Sequence, residues 1–270
     1  MKEQLLAAIH ELELDAYKER IFAELQPALR IQTKRNEQLS IGSSKFGGKP
    51  DLPLDFTYPL YEGERLVFLA QYRLADFASF PVARELPQKG MLYFFHHEEH
   101  DGEPFPLGLK NERDGWRVIY REEDDPSLLR PYDIEEIKHY PQTEIGFEEI
   151  YTGNLGRLGF DIEKEEANEG GAPAGMLAYA FSDLMELCEI DLGHQLLGTP
   201  IPQQGPVIEE LHKFDFPELK GKEMVLLLQL DCDNRLEMSW GDCGTLYFLI
   251  PLEDLRKRNF AETVYTAQMG

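Results

Sequence analysis

The chain has 270 residues, enough for one ample core, and its 42% apolar and 11% aromatic content argues against disorder throughout. Its 50 acidic and 27 basic residues give a formal net charge of −23. That field repels phosphate backbones, so nucleic acid is not an expected partner, while a basic protein is; the plainer reading is that the acidity only keeps the chain soluble. Cys188, Cys232 and Cys243 make no C-x-x-C pair, which argues against a disulfide framework or a structural zinc site. No apolar run approaches the roughly 18–20 residues of a membrane span. The start Met1-Lys2-Glu3-Gln4 lacks the apolar core of a signal peptide, so no membrane association and a cytoplasmic location are expected.

Residues 1–27 read as a helical extension. Leu5, Ile9 and Leu12 recur at helical spacing, Asp15 is placed to cap a second helix bearing Tyr17, Ile21 and Leu25, and Pro27 stops it. Residues 28–32 predict a strand. The segment Ser44-Lys45-Phe46-Gly47-Gly48-Lys49-Pro50 predicts a tight turn, whose amides at Gly47 and Gly48 could form an anion nest flanked by Lys45 and Lys49. It is not a Walker loop, and a purely structural turn is the blander reading. Residues 66–72, 91–96 and 116–120 predict strands, joined by a proline-bearing connection over 75–88. Residues 121–149 read as acidic and irregular, with 134–139 left open between strand and loop. Residues 161–175 carry Asp161, Glu163, Glu165, Glu166 and Glu169 with three glycines and a proline, and predict a mobile loop between halves. A helix is expected from Ser182 to Cys188, a second core over 225–247, a short helix over 252–258 after Pro251, and a closing strand at 264–267.

The dominant pattern is a duplication. Phe68-Leu69-Ala70-Gln71-Tyr72 followed by Gly90-Met91-Leu92-Tyr93-Phe94 returns as Leu226-Leu227-Leu228-Gln229-Leu230 followed by Gly244-Thr245-Leu246-Tyr247-Phe248. A Gly-x-Pro precedes each glutamine strand, Gly48/Pro50 in one copy and Gly198/Pro200 in the other. These repeats predict one mainly β (β-rich α+β) domain over 1–270. It would consist of internally duplicated antiparallel β units, a first half over 28–150 and a second over 176–270, with the N-terminal helices and a few short ones added.

The segment His96-His97-Glu98-Glu99-His100-Asp101 resembles a zincin motif but has its second histidine one residue early, and it reads as a solvated hairpin tip. Asp231 and Asp233 alternate to one side at a strand end and are weak metal candidates, with Asx turns as the plainer reading. Gln71 and Gln229 interrupt apolar strands, so each amide is expected either to bridge backbone or to face a ligand in a cleft between the halves, beside Trp240 and Asp242. No Ser-His-Asp, Cys-His or G-x-S-x-G arrangement is present. No catalytic residue and no cofactor is assigned, and whether the chain is an enzyme stays open.

At Ser44-Lys45-Phe46-Gly47-Gly48, Phe68-Leu69-Ala70-Gln71, Leu227-Leu228-Gln229-Leu230-Asp231, Trp240-Gly241-Asp242 and Glu253-Asp254-Leu255-Arg256-Lys257 the chain resembles the YwqG-like family, bacterial domains of unknown function. Leu197-Gly198 stands where that pattern has a Gly-Gly pair. The resemblance implies a duplicated, mainly β fold over roughly residues 28–268 and no established activity or cofactor. The charge makes a non-enzymatic protein-binding module the leading expectation, one form being an antidote to a basic toxin. The alternative is a small-molecule or carbohydrate-binding protein, or a hydrolase, using Gly47, Gly48, Gln71, Gln229, Trp240 and Asp242.

Overall fold

The computed structural model describes residues 2–98, 115–133, 139–168, 176–188 and 193–269. The strands in chain order are β1 (Gln26–Arg35), β2 (Lys45–Phe46), β3 (Asp51–Pro53), β4 (Leu60–Tyr61), β5 (Glu64–Arg65), β6 (Val67–Arg73), β7 (Met91–His96), β8 (Trp116–Arg121), β9 (Leu129–Pro131), β10 (Thr143–Thr152), β11 (Gln195–Leu196), β12 (Met224–Asp231), β13 (Thr245–Pro251) and β14 (Val264–Gln268). The helices are α1 (Lys2–Glu11), α2 (Lys18–Glu24), α3 (Leu155–Asn168), α4 (Met176–Leu187), α5 (Val207–Glu210) and α6 (Leu252–Arg256). The fold is mainly β, as expected.

Among the described residues, ten strands form one sheet in the order β14-β13-β12-β11-β1-β10-β2-β6-β7-β8. It curls until its edges meet: Trp116 Nε1 on β8 donates to the Thr263 carbonyl beside β14 at 3.1 Å, and Trp116 lies against Tyr265. Strands β6 and β12 are buried nearly throughout, which is why they read as continuous apolar runs rather than alternating ones. The inner face holds the main core, including Tyr72, Phe94, Leu230, Phe248 and Tyr265. A second cluster joins α1–α4 to Ile201, and a third packs Leu52, Tyr58 and Leu129 over Phe68, Tyr93 and Phe95.

The sheet order is palindromic. The outer four strands on each side are the expected repeats, and both copies carry a β-bulge at the same place, between Phe68 and Ala70 and between Leu226 and Leu228. The centre was not expected. β1 pairs with β10 antiparallel over ten residues, β10 lies against β2, and β1 lies against β11. The strand expected to open the first half therefore completes the second. β10 does the same for the first half, starting within the stretch read as irregular and running past its end.

Other expectations shift as well. Residues 161–168 are not a loop but the end of α3, whose Leu155 and Ile162 are buried while Arg20 pairs with Glu165 at 2.7 Å. Helix α4 starts at Met176, so Ser182 and Asp183 sit mid-helix. Asp15 does not cap α2; it opens a single 3₁₀ turn and bonds His10 at 2.9 Å. Pro27 lies inside β1, the helix having ended at Glu24. The remaining expectations over 134–138 and 169–175, and those on His100 and Asp101, fall outside the described residues. Among the described residues no helix is long and apolar enough to cross a membrane.

Candidate functional site

The residues singled out from sequence gather into two matching clips. In the first, Gln71 is fully buried. Its Oε1 accepts from the Asp51 amide at 2.9 Å, and its Nε2 donates to the Ser43 carbonyl at 2.8 Å. In the second, Gln229 Oε1 accepts from the Ile201 amide at 3.0 Å, and its Nε2 donates to the Gly193 carbonyl at 3.1 Å. The tyrosine opposite each glutamine completes the clip: the Tyr93 hydroxyl donates to the Asp51 carbonyl at 2.7 Å, and that of Tyr247 to the Ile201 carbonyl at 2.9 Å. Burial raises the pKa of both phenols, which keeps them protonated as donors. Each unmade bond of this kind would cost about 1–3 kcal/mol, so the glutamines hold the loop onto the sheet.

The turn geometry also repeats. Gly47 and Gly48 have φ of +57° and +67°, and Leu197 and Gly198 have +62° and +64°. A side chain at Gly47 would put its Cβ 2.6 Å from the Pro141 carbonyl oxygen, whereas Leu197 finds room in the main core. The Gly47 amide donates to the Leu69 carbonyl and that of Gly48 to the Tyr140 carbonyl, so both are engaged within the fold rather than presented as an anion nest. Lys49 pairs with Asp133, and Lys45 turns inward.

The clips differ in charge. Lys45 and Asp51 form a buried ion pair at 3.0 Å, their side chains 3% and 2% exposed. Asp51 Oδ2 also accepts from the Gln71 amide nitrogen at 2.8 Å and the Gly42 amide at 2.9 Å. Burial pushes the Lys45 ammonium below its usual range, and the Asp51 carboxylate opposes that. The second clip has Gln195 and Ile201 at the corresponding positions, each paired or bonded in the same way to Gln229.

Trp240 is 1% exposed, with its ring against Tyr140 and His96, and Asp242 lies in an exposed turn. The space expected between the halves is filled by the continuous β1–β10 pairing and the main core. His96, expected at a solvated tip, is the fully buried last residue of β7, and burial lowers its pKa to about 3.

Asp231 and Asp233 do lie together, on an open cleft of about 670 Å³ at the end of β1, β11 and β12 that was not foreseen. Asp231 Oδ1 accepts from the Cys232 amide and the Thr245 hydroxyl, both at 2.9 Å. Asp233 closes an Asx turn on the Arg235 amide at 2.8 Å and takes the Arg235 guanidinium at 2.6 Å, which holds its carboxyl below the usual range. His194 Nδ1 accepts from the Asp231 amide at 3.2 Å, while Nε2 faces Asp233 at 3.5 Å. Burial lowers its pKa, against the pull of the two carboxylates. Among the described residues no group of three or more His, Cys, Asp or Glu is placed to hold a metal ion. His194 and Arg235 were missed from sequence; the only available signals were the repeat alignment of His194 with Ser44 and the Asp-x-Arg spacing.

A curled ten-stranded sheet with paired glutamine–tyrosine clips defines an internally duplicated, mainly β protein. Residues 44–268 match the model of a domain of unknown function, DUF1963, and the chain belongs to that family. The match runs from the first clip to the last residue of β14 and leaves out α1, α2 and β1. No curated protein matches the chain.

Proposed function

We propose that this chain is a YwqG-like, cytoplasmic, non-enzymatic binding module whose partner is a basic protein, one form being an antidote to a basic toxin. The observation that carries the reading is the net charge of −23. Many of the bases are already engaged with acids: Arg20 with Glu165, Lys49 with Asp133, Lys222 with Glu253 and Arg256 with Glu85. The surplus acids are left to set a long-range attractive field. Helices α3 and α4 add exposed Phe160 and Tyr179, 57% and 75% exposed, on elements that also carry Asp161, Glu165, Asp183 and Glu186. Aromatic anchors within an acidic surround suit a basic partner. Two interior ionisable groups have structural roles: Lys45 holds Asp51, and the ring of His194 is set between the Asp231 amide and Asp233.

The test is affinity capture from the native cell at low salt, followed by binding kinetics of whatever is retained. The expected result is one basic protein in stoichiometric amount whose association rate falls about tenfold or more as ionic strength rises to physiological. Salt-insensitive association, or no basic protein retained, contradicts it.

A further inference from the structure

The duplication supplies an internal control for the cleft at the end of β12. After β6 the chain makes a turn in which the Leu74 amide donates to the Gly90 carbonyl and that of Ala78 to Ala75. After β12 the same bonds recur, Cys232 to Gly244 and Leu236 to Asp233. This places Arg235 where the first half has Phe77. The pairing of β10 with β2 and of β1 with β11 likewise places Thr33 where the first half has Phe147. In the first half those two rings pack at 4.5 Å, tilted by 56°, with Tyr72 edge-on at 5.6 Å from Phe77, and plug that position. In the second half the plug is missing, and Arg235 and Thr33 line the 670 Å³ cleft instead.

The lining has both signs of charge. Asp231 and Asp233 face it with Arg30 and Arg235, beside His194 and Gln32. The Arg235 side chain is 78% exposed and reaches Asp233 through Nε and Nη2. Asp233 and Arg235 pair with each other while Arg235 stays 78% exposed, so a lone anion would meet two carboxylates here and a lone cation two guanidinium groups. A molecule carrying both charges gives each sign its complement, with a carboxylate accepting from a guanidinium fork and an ammonium donating to a carboxylate. The volume is in the range that takes a small ligand.

We propose that this cleft binds a small zwitterion, an α-amino acid carrying free ammonium and carboxylate groups. The site is independent of the basic-protein partner proposed above. The test is titration calorimetry of the full chain with each of the standard L-amino acids in turn, and with acetate and methylammonium as single-charge probes. At least one amino acid should bind with a stoichiometry of one, at least tenfold tighter than either single-charge probe. The variant Arg235→Phe, which restores the first-half plug, should weaken that binding at least tenfold. Because that variant adds an apolar ring, Arg235→Gln is made beside it and should also weaken binding, with the thermal midpoint of each variant recorded as a check on folding. No saturable binding by any amino acid, equal binding of acetate or methylammonium, or full affinity in a folded Arg235→Phe protein would each overturn the proposal.

Discussion

The two clips of this molecule share one set of bonds and differ in one pair of charges. Both hold a left-handed turn against the sheet with a buried glutamine and a tyrosine. Only the first adds the buried Lys45–Asp51 ion pair, where the second has Gln195 and Ile201. The comparison separates what the fold requires from what one half has added: the glutamine and tyrosine are required, and the ion pair is not, because an uncharged version holds the same geometry elsewhere in the same chain. A second difference follows the same logic. His96 at the end of β7 is opposite Val67, as Ile250 on β13 is opposite Val225, so a titratable group stands in one half where an aliphatic one serves in the other.

Stranding one charge of the buried pair has a large expected effect. Asp51→Ala leaves the Lys45 ammonium buried without its partner and is expected to destabilise the protein by about 3–5 kcal/mol in urea unfolding. Replacing the pair with the residues of the second clip, Lys45→Gln with Asp51→Ile, is expected to recover most of that loss, since an uncharged pair needs no ionic compensation. If the double variant is as unstable as Asp51→Ala, the clips are not interchangeable.

An effect of similar size, spread over several pH units, is expected from pH. His96 has an ordinary pKa of 6.5 when unfolded and about 3 in the folded chain, because burial disfavours its charged form. The unfolded chain takes up this proton first, so the contribution of His96 is fully present above pH 6.5 and is lost as pH falls toward 3, by up to about 1.4 kcal/mol per pH unit. His96→Ile, the residue of the second half, should flatten that part of the stability–pH curve. An unchanged slope between pH 6 and about 4 would assign the acid sensitivity to other groups.

What was legible in the sequence was local. A glutamine inside an apolar strand, a Gly-x-Leu-Tyr run and a Gly-x-Pro turn lie close together in each copy, and their repetition gave the duplicated β units and singled out Gln71 and Gln229 without deciding between a backbone bridge and a ligand. What depended on distant pairing was not legible. Strand β10 has Gly146 and the adjacent Glu148 and Glu149 breaking its alternation, and its partner lies more than a hundred residues away in β1, so nothing local marked the centre of the sheet. Helix α3 was hidden by its acids, which look like a solvated loop until Arg20 and Tyr17 are placed against Glu165 and Glu166. The cleft was hidden for the same reason: Arg30, His194 and Arg235 come from three segments that only the fold joins.

We propose that residues shared by both halves build the fold while binding belongs to surfaces that the halves do not share. Gln71→Leu and Gln229→Leu test it most directly, each assayed for urea stability and for capture of the basic partner. Each substitution orphans two buried backbone groups, so a loss of about 2–6 kcal/mol is expected in each variant, with partner binding intact under native conditions. Unchanged stability together with lost binding would contradict it and return the glutamines to the role of ligand-facing groups.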